Sequence, residues 1–398
     1  MKTDCIHLRA GPIAALILLA SPVASDVVAQ SDDFNDGNDV GWTRYNPLAP
    51  LGGSASYSFP SGAYRITAPA SPNPELFGPA RAGSLFPSAT FRRARVEVDL
   101  FGWLPTLTQS AGVFARASEL GLGTTTGYTY NYNVLSGFHQ INLVLSENPA
   151  RVVNESIFRL NSEHRYRMIF TATDNRFLGR LYSSTNNLVP IHSLFGTDDT
   201  LTSGQSGVFV FAIDLSARLD ARFDNYVAST AEKVRATLLD AAPAVGEIPA
   251  EPIATVVVRL ASVETAVKPE SIRLTVDGTE VTFETSEFES ILTLTHTPAT
   301  ALDPGLPHLA SIRFNDDDGE QSFSWPFGTP AVVKPKLLGT ARLGDPFQSE
   351  AGAVLDGGAR QFTAPLLGEQ RFYRVEDATA RTLKSVEIEG TSVRIVFE

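Results

Sequence analysis

The sequence predicts an all-β protein made of two sandwiches and a small β tail. Three observations carry that expectation. Short apolar/polar alternations recur from residue 31 to the C-terminus, separated by Gly, Pro, Asn, Asp and Ser clusters. Tight-turn dipeptides sit between paired runs, as in TDN at 173–175, Asp277-Gly278 and Asp318-Gly319. The one helix-like stretch is VRATLLDA at 234–241.

The elements follow in order. Residues 1–29 have the pattern of an export signal peptide. Lys2 and Arg9 precede the apolar run GPIAALILLA, and small residues then offer cleavage after Ser25 or Ala29. No later apolar stretch approaches the ~20 residues that a membrane-spanning helix needs, so the mature chain is expected to lack a transmembrane segment. The only cysteine, Cys5, lies in the leader. The mature chain is therefore expected to be secreted or displayed at the cell surface, held by its core and not by disulfides.

Residues 31–229 contain about a dozen strand patterns, among them AYRITA, ARVEVDLF, GYTYNYNV, HQINLVLS, YRMIFTAT, GVFVFAID and ARFDNYVAS. That is too many for one seven-stranded sandwich, and a two-sheet jelly roll is the expected architecture. Residues 230–251 turn rich in Ala and Pro and are expected to form a linker with a short helix. Residues 252–328 carry the hairpins IRLTVDGTEVTFE and IRFNDDDGEQSFSW and suit a smaller immunoglobulin-like β-sandwich. Residues 337–398 alternate again in RQFTA, RFYRV and SVRIVF, a small β module with little core of its own.

Charge narrows the partners. A formal net charge of −12 disfavours nucleic acid and acidic polymers unless a basic patch intervenes, and the sequence shows no basic run. A neutral glycan, or a protein at the cell surface, is the expected partner.

The start DDFNDGNDVGWTRY and the late strand RFDNYVAS resemble the ends of a concanavalin A-like lectin/glucanase (LamG-like) jelly roll, whose two terminal strands lie side by side. The resemblance covers 32–228 and implies the fold more than the ligand. PESIRLTVDG and LDPGLPHLASIRFNDDDG resemble bacterial immunoglobulin-like modules, and PFQSEAGA with APLLGEQRFYRV resembles tails of exported Verrucomicrobia-type proteins. Family 16 glucanases on the first fold carry E-x-D-x-E or E-x-D-x-x-E, with the last Glu as acid/base. Here Glu97 and Asp99 match the first two positions, but Phe101 or Gly102 stands in the third, and neither can donate a proton. Catalysis is therefore not expected. A divergent hydrolase would need another carboxylate facing Glu97, and a purely structural surface protein would need no site at all.

No nucleophile elbow and no zinc spacing occurs among the scattered histidines. The remaining candidates are binding residues. Tyr128, Tyr130 and Tyr132 share one face of a strand and Asn131 and Asn133 the other. An exposed tyrosine stripe would stack on sugar rings, with Asn amides reaching hydroxyls, and Trp103 is a further aromatic candidate. No cofactor is expected apart from calcium, for which Asp33, Asn35, Asp36 and Asp224 offer hard oxygen donors.

Overall fold

The computed structural model describes residues 28–184, 189–249, 253, 255–330, 336–342, 344–356, 360–367, 371–376 and 382–397. Residues 1–27, nearly all of the expected signal peptide, lie outside the described residues. The first unit is a sandwich of two antiparallel sheets. One runs β13 (His192–Thr197), β12 (Arg176–Ser183), β11 (Tyr166–Thr173), β6 (Ala94–Phe101), β15 (Leu219–Thr230), β4 (Tyr64–Ala68) and β3 (Ser56–Ser58). Its eighth strand, β1 (Val28–Asp32), pairs with Tyr226–Ser229 of β15, so the first and last strands of the jelly roll are neighbours. The other sheet runs β10 (Asn148–Ile157), β9 (Phe138–Leu145), β8 (Thr126–Asn133), β7 (Gln109–Ser118), β14 (Gly204–Ala212), β5 (Arg81–Phe91) and β2 (Thr43–Tyr45).

Alternation sets the core. Val96, Val98 and Leu100 of β6 point inward, as do Ile141 and Leu143 of β9 and Val208 and Val210 of β14. Tyr128, Tyr130 and Tyr132 join them, their rings packed on Phe177, Phe170 and Trp103. Each such side chain contributes ~1.5–3 kcal/mol by leaving water. The turn at Asp174-Asn175 closes β11 on β12 with the register Thr173 opposite Arg176, the two-residue hairpin its sequence predicts.

The second unit is a four-on-four sandwich. One sheet is β16 (Thr237–Ala242), β17 (Val256–Ala261), β21 (Ile291–His296) and β20 (Glu284–Phe288). The other is β19 (Thr279–Val281), β18 (Lys268–Val276), β22 (Pro307–Asp316) and β23 (Gly319–Gly328). Two local expectations change here. Thr237–Ala242 is a strand and not a helix, because Leu238 belongs inside this sandwich while its backbone ladders with β17. The β22–β23 turn residues are Asp317 and Asp318, with Gly319 already paired to Asp316. Trp325 is wholly buried and donates its indole N–H to the Pro243 carbonyl at 3.1 Å.

The two units are docked. Arg93 of the jelly roll holds Glu264 at 2.7 Å, and Leu178 and Phe195 pack with Leu239, Ala261 and Val263. The C-terminal residues form a three-stranded and a four-stranded sheet around Leu337, Phe362, Val393, Ile395 and Phe397.

Candidate functional site

The concave face is identified by one ion pair. Glu147, in the β9–β10 turn, holds Arg81 of β5 at 2.6 Å and accepts from the hydroxyl of Tyr45 on β2. The Glu147 backbone N–H bonds the Thr125 carbonyl at the start of β8. Four strand spacings separate β8 from β2, ~19 Å in a flat sheet at ~4.8 Å each, further than the Glu147 and Tyr45 side chains reach together. The seven-stranded sheet must therefore curl, with its outer face inside the curl. Ser146 and Glu147 both have positive φ, 51° and 61°, as a two-residue hairpin with the right twist requires.

The curl encloses a groove of about 220 Å³. One wall is apolar: Phe209 and Phe211 of β14 and Phe114 of β7, with the Phe114 and Phe209 rings 4.7 Å apart. Phe209 lies across from Gly83 on one side and Gly112 on the other. A Cβ on Gly83 would come within 2.4 Å of the Val208 carbonyl, and one on Gly112 within 2.1 Å of the Tyr130 carbonyl. Glycine is thus required at both positions, and they leave bare backbone beside the ring.

The floor is polar. Asn131 of β8 donates to Ser110 Oγ at 2.7 Å, while its carbonyl oxygen accepts from Thr129 at 3.1 Å and from Asn142 of β9 at 2.8 Å. Its amide is thereby fixed in orientation. Gln140 is anchored by Glu155 at 2.7 Å. The groove's end is the Arg81–Glu147–Tyr45 cluster, with Arg81 and Glu147 side chains each only 8% exposed. Burial pushes the Glu147 carboxyl up. Hydrogen bonds from Arg81, Tyr45 and the Gly123 N–H outweigh that and hold it below the usual carboxylate range. A carboxylate so engaged closes a binding site and is poorly placed to shuttle protons.

The sequence-predicted residues divide sharply. Asn131 lines the groove but is itself only 3% exposed, so its part is to orient Asn142. Tyr128, Tyr130 and Tyr132 are 0–2% exposed and Trp103 is 3% exposed, so none is a stacking platform. Alternation makes the tyrosines inward precisely because it makes Asn131 outward. Asn133 caps the β8–β9 turn, accepting from the Ser136 N–H at 3.2 Å.

Glu97 and Asp99 face outward from the other sheet, away from the groove. Arg95 donates to Glu97 at 2.8 Å. Asp99 accepts from Arg167 at 3.2 Å, Arg165 at 3.4 Å and Asn225 at 2.8 Å. The next outward position is Phe101, its ring 3.9 Å from the Arg165 guanidinium. Glu97 does, however, border a depression of about 740 Å³ together with Asp32, Asp33, Asp36 and Arg167.

Of the metal candidates, Asp33 and Asp36 border one depression and Asp224 is not among its lining. Asp33 and Asp36 accept from the N–H groups of Asn35 and Asn38 in successive Asx turns. Asp224 is across the strand pair, held by Arg165 at 2.6 Å. Among the described residues, no three His, Cys, Asp or Glu side chains come together as metal ligands.

The sequence reading missed Phe209, Phe211, Phe114, Arg81, Gln140, Asn142 and Glu147. A signal existed for two of them: in HQINLVL, Gln140 and Asn142 alternate with Ile141 and Leu143 and so share the outward side with Asn131.

No protein-family model matches the sequence, and comparison with curated proteins finds no match. Solved structures do resemble it. A carbohydrate-binding module, CBM66 from Bacillus subtilis, is 18% identical with a TM-score of 0.35, over 48% of this chain and 97% of that one. The lectin UEA-II complexed with galactose is 10% identical with a TM-score of 0.35, over 52% and 99%. A prokaryotic β-1,3-1,4-glucanase (lichenase) from a mouse hindgut metagenome is 12% identical with a TM-score of 0.37, over 51% and 99%. Likeness at this level carries no functional argument, and the site is read from its own residues. Among the described residues, no helix is long and apolar enough to cross a membrane.

Proposed function

We propose that the protein is an exported carbohydrate-binding protein that holds a neutral glycan in the concave groove without cleaving it. The observation that carries this reading is a phenylalanine wall that shares the groove with two half-buried amides, Gln140 and Asn142. A sugar ring has an apolar C–H face and a rim of hydroxyls, and the groove offers a surface for each. The Asn131 network sets the Asn142 amide before any ligand arrives, which lowers the ordering cost of binding. A shallow site of this kind holds a single sugar at about millimolar Kd, worth ~4 kcal/mol, so repeated display would strengthen attachment. Titrating the full chain against a panel of neutral oligosaccharides tests the reading. Binding lost in Asn142→Ala and Phe211→Ala supports it, and no binding to any neutral glycan contradicts it.

A second reading, a divergent glycoside hydrolase, draws support from the depression shared by Glu97 and the Asp32–Asp36 turn. Burial pushes the Asp32 carboxyl up, the direction an acid catalyst needs. Against it, both Asp32 oxygens are engaged, one by the Phe34 N–H at 2.8 Å and the other by the Trp42 indole at 2.7 Å. Reducing-sugar release that disappears in Glu97→Gln would favour this reading over the first.

A further inference from the structure

Where the eight-stranded sheet meets the second sandwich there is a pocket of about 340 Å³ that the glycan reading does not use. Its jelly-roll side is Arg95, Thr171 and Arg180, and its second-sandwich side includes Lys233, Arg235 and Gln321. Four cationic side chains thus converge, against one acid, the exposed Glu232. The sequence shows no basic run because the four come from β6, β12 and the connection into β16.

Three of the cations already hold carboxylates outside the pocket. Arg95 pairs with Glu97 at 2.8 Å, Lys233 with Asp318 at 2.9 Å and Arg235 with Asp316 at 2.6 Å. Arg180 is different: no ion pair joins it to a carboxylate among the described residues, although Tyr182 and Glu97 lie near its guanidinium. Its Nε is buried with no hydrogen-bond partner, and so is the hydroxyl of Thr171, which is only 3% exposed. The two are diagonal neighbours: Thr171 is opposite Arg95, and Arg180 is opposite Ile169, two residues before Thr171 on the same face. Two orphaned donors are costly to leave unmade, and an oxygen-rich anion would satisfy both.

We infer that this junction pocket binds a small oxyanion, held by Arg180 and Thr171 and bordered by Lys233 and Arg235 of the second sandwich. Phosphate, sulfate and a sugar-borne carboxylate share the required chemistry. Because its lining comes from both units, the bound anion ties them together. The inference does not depend on the glycan reading, since the pocket lies on the opposite sheet.

The test is thermal melting and calorimetry on the full chain with inorganic phosphate, sulfate or glucuronate against chloride at matched ionic strength. Low concentrations keep general salting effects out. The expected result is saturable stabilisation, weakened about tenfold or more in Arg180→Gln and about threefold in Thr171→Val. Thr171→Val keeps the side-chain shape and serves if Arg180→Gln fails to fold. Response to phosphate or sulfate alone assigns a free ion, and response to glucuronate assigns an acidic sugar; either supports the site. No saturable response, or equal responses in wild type and Thr171→Val, overturns it.

Discussion

On the seven-stranded sheet the outward positions carry amides, hydroxyls and phenyl rings; on the eight-stranded sheet they carry guanidinium groups and carboxylates. Arg95 with Glu97, Arg167 with Asp99, Arg165 with Asp99 and Asp224, and Arg65 with Asp220 tile that second face. The same alternation built both. A neutral face can take a neutral ligand without stripping water from charges, whereas a face of paired ions must break pairs or desolvate them first. The Arg81–Glu147 ion pair on the neutral face is the exception that shapes the groove, because it spans the curl.

That contrast can be broken experimentally. The largest effect is expected from Arg81→Ala, which strands a buried Glu147 carboxylate. Urea unfolding should show a loss of ~3–5 kcal/mol. Arg95→Ala on the opposite face removes a more exposed pair and should cost ~1 kcal/mol or less. Similar losses for the two would dissolve the distinction.

Next comes pH. His139 is fully buried in the groove sheet and its ring lies 4.7 Å from that of His192 on β13. Burial, then the mutual charge in the case of His139, brings its pKa down to about 3, and burial brings His192 down to about 4. Both bind protons more readily when unfolded. Their contribution to stability is therefore complete above ~6.5, the ordinary histidine value, and is lost as pH falls toward about 4. Urea midpoints should drop between pH 7 and 5 by the equivalent of a few kcal/mol at most, and His139→Gln should flatten that slope. An unchanged slope in the variant would refute the assignment.

A smaller effect sharpens the tyrosine correction. The Tyr130 hydroxyl is buried and has no partner. Tyr130→Phe should therefore leave glycan binding unchanged and stability equal or higher by ~1 kcal/mol. Weakened binding would return the tyrosines to the ligand.

Much of this was legible in the chain. Period-two patterning separates Tyr130 from Asn131, and the hairpin residues Asp174-Asn175 and Asp277-Gly278 set their registers. Alternation does not say which side meets solvent, so the tyrosine stripe could be read as a platform. GVFVFA is apolar on both sides, which hides Phe209 and Phe211 as an outward pair. Arg81 was hidden because RAGSLFPSATF, with Gly83 and Pro87, reads as loop; the neighbouring strand requires that glycine. Glu147 was hidden because only the curl of the sheet carries a turn residue to the far edge.

Calorimetric titration of the best-binding neutral oligosaccharide into three forms of the full chain tests the central claim most directly. Asn142→Ala should weaken binding about two- to tenfold, the worth of a neutral hydrogen bond of ~0.5–1.5 kcal/mol. Glu97→Gln should leave it within error of the wild type. Binding indifferent to Asn142 but lost with Glu97 would place the ligand on the opposite sheet and contradict the account.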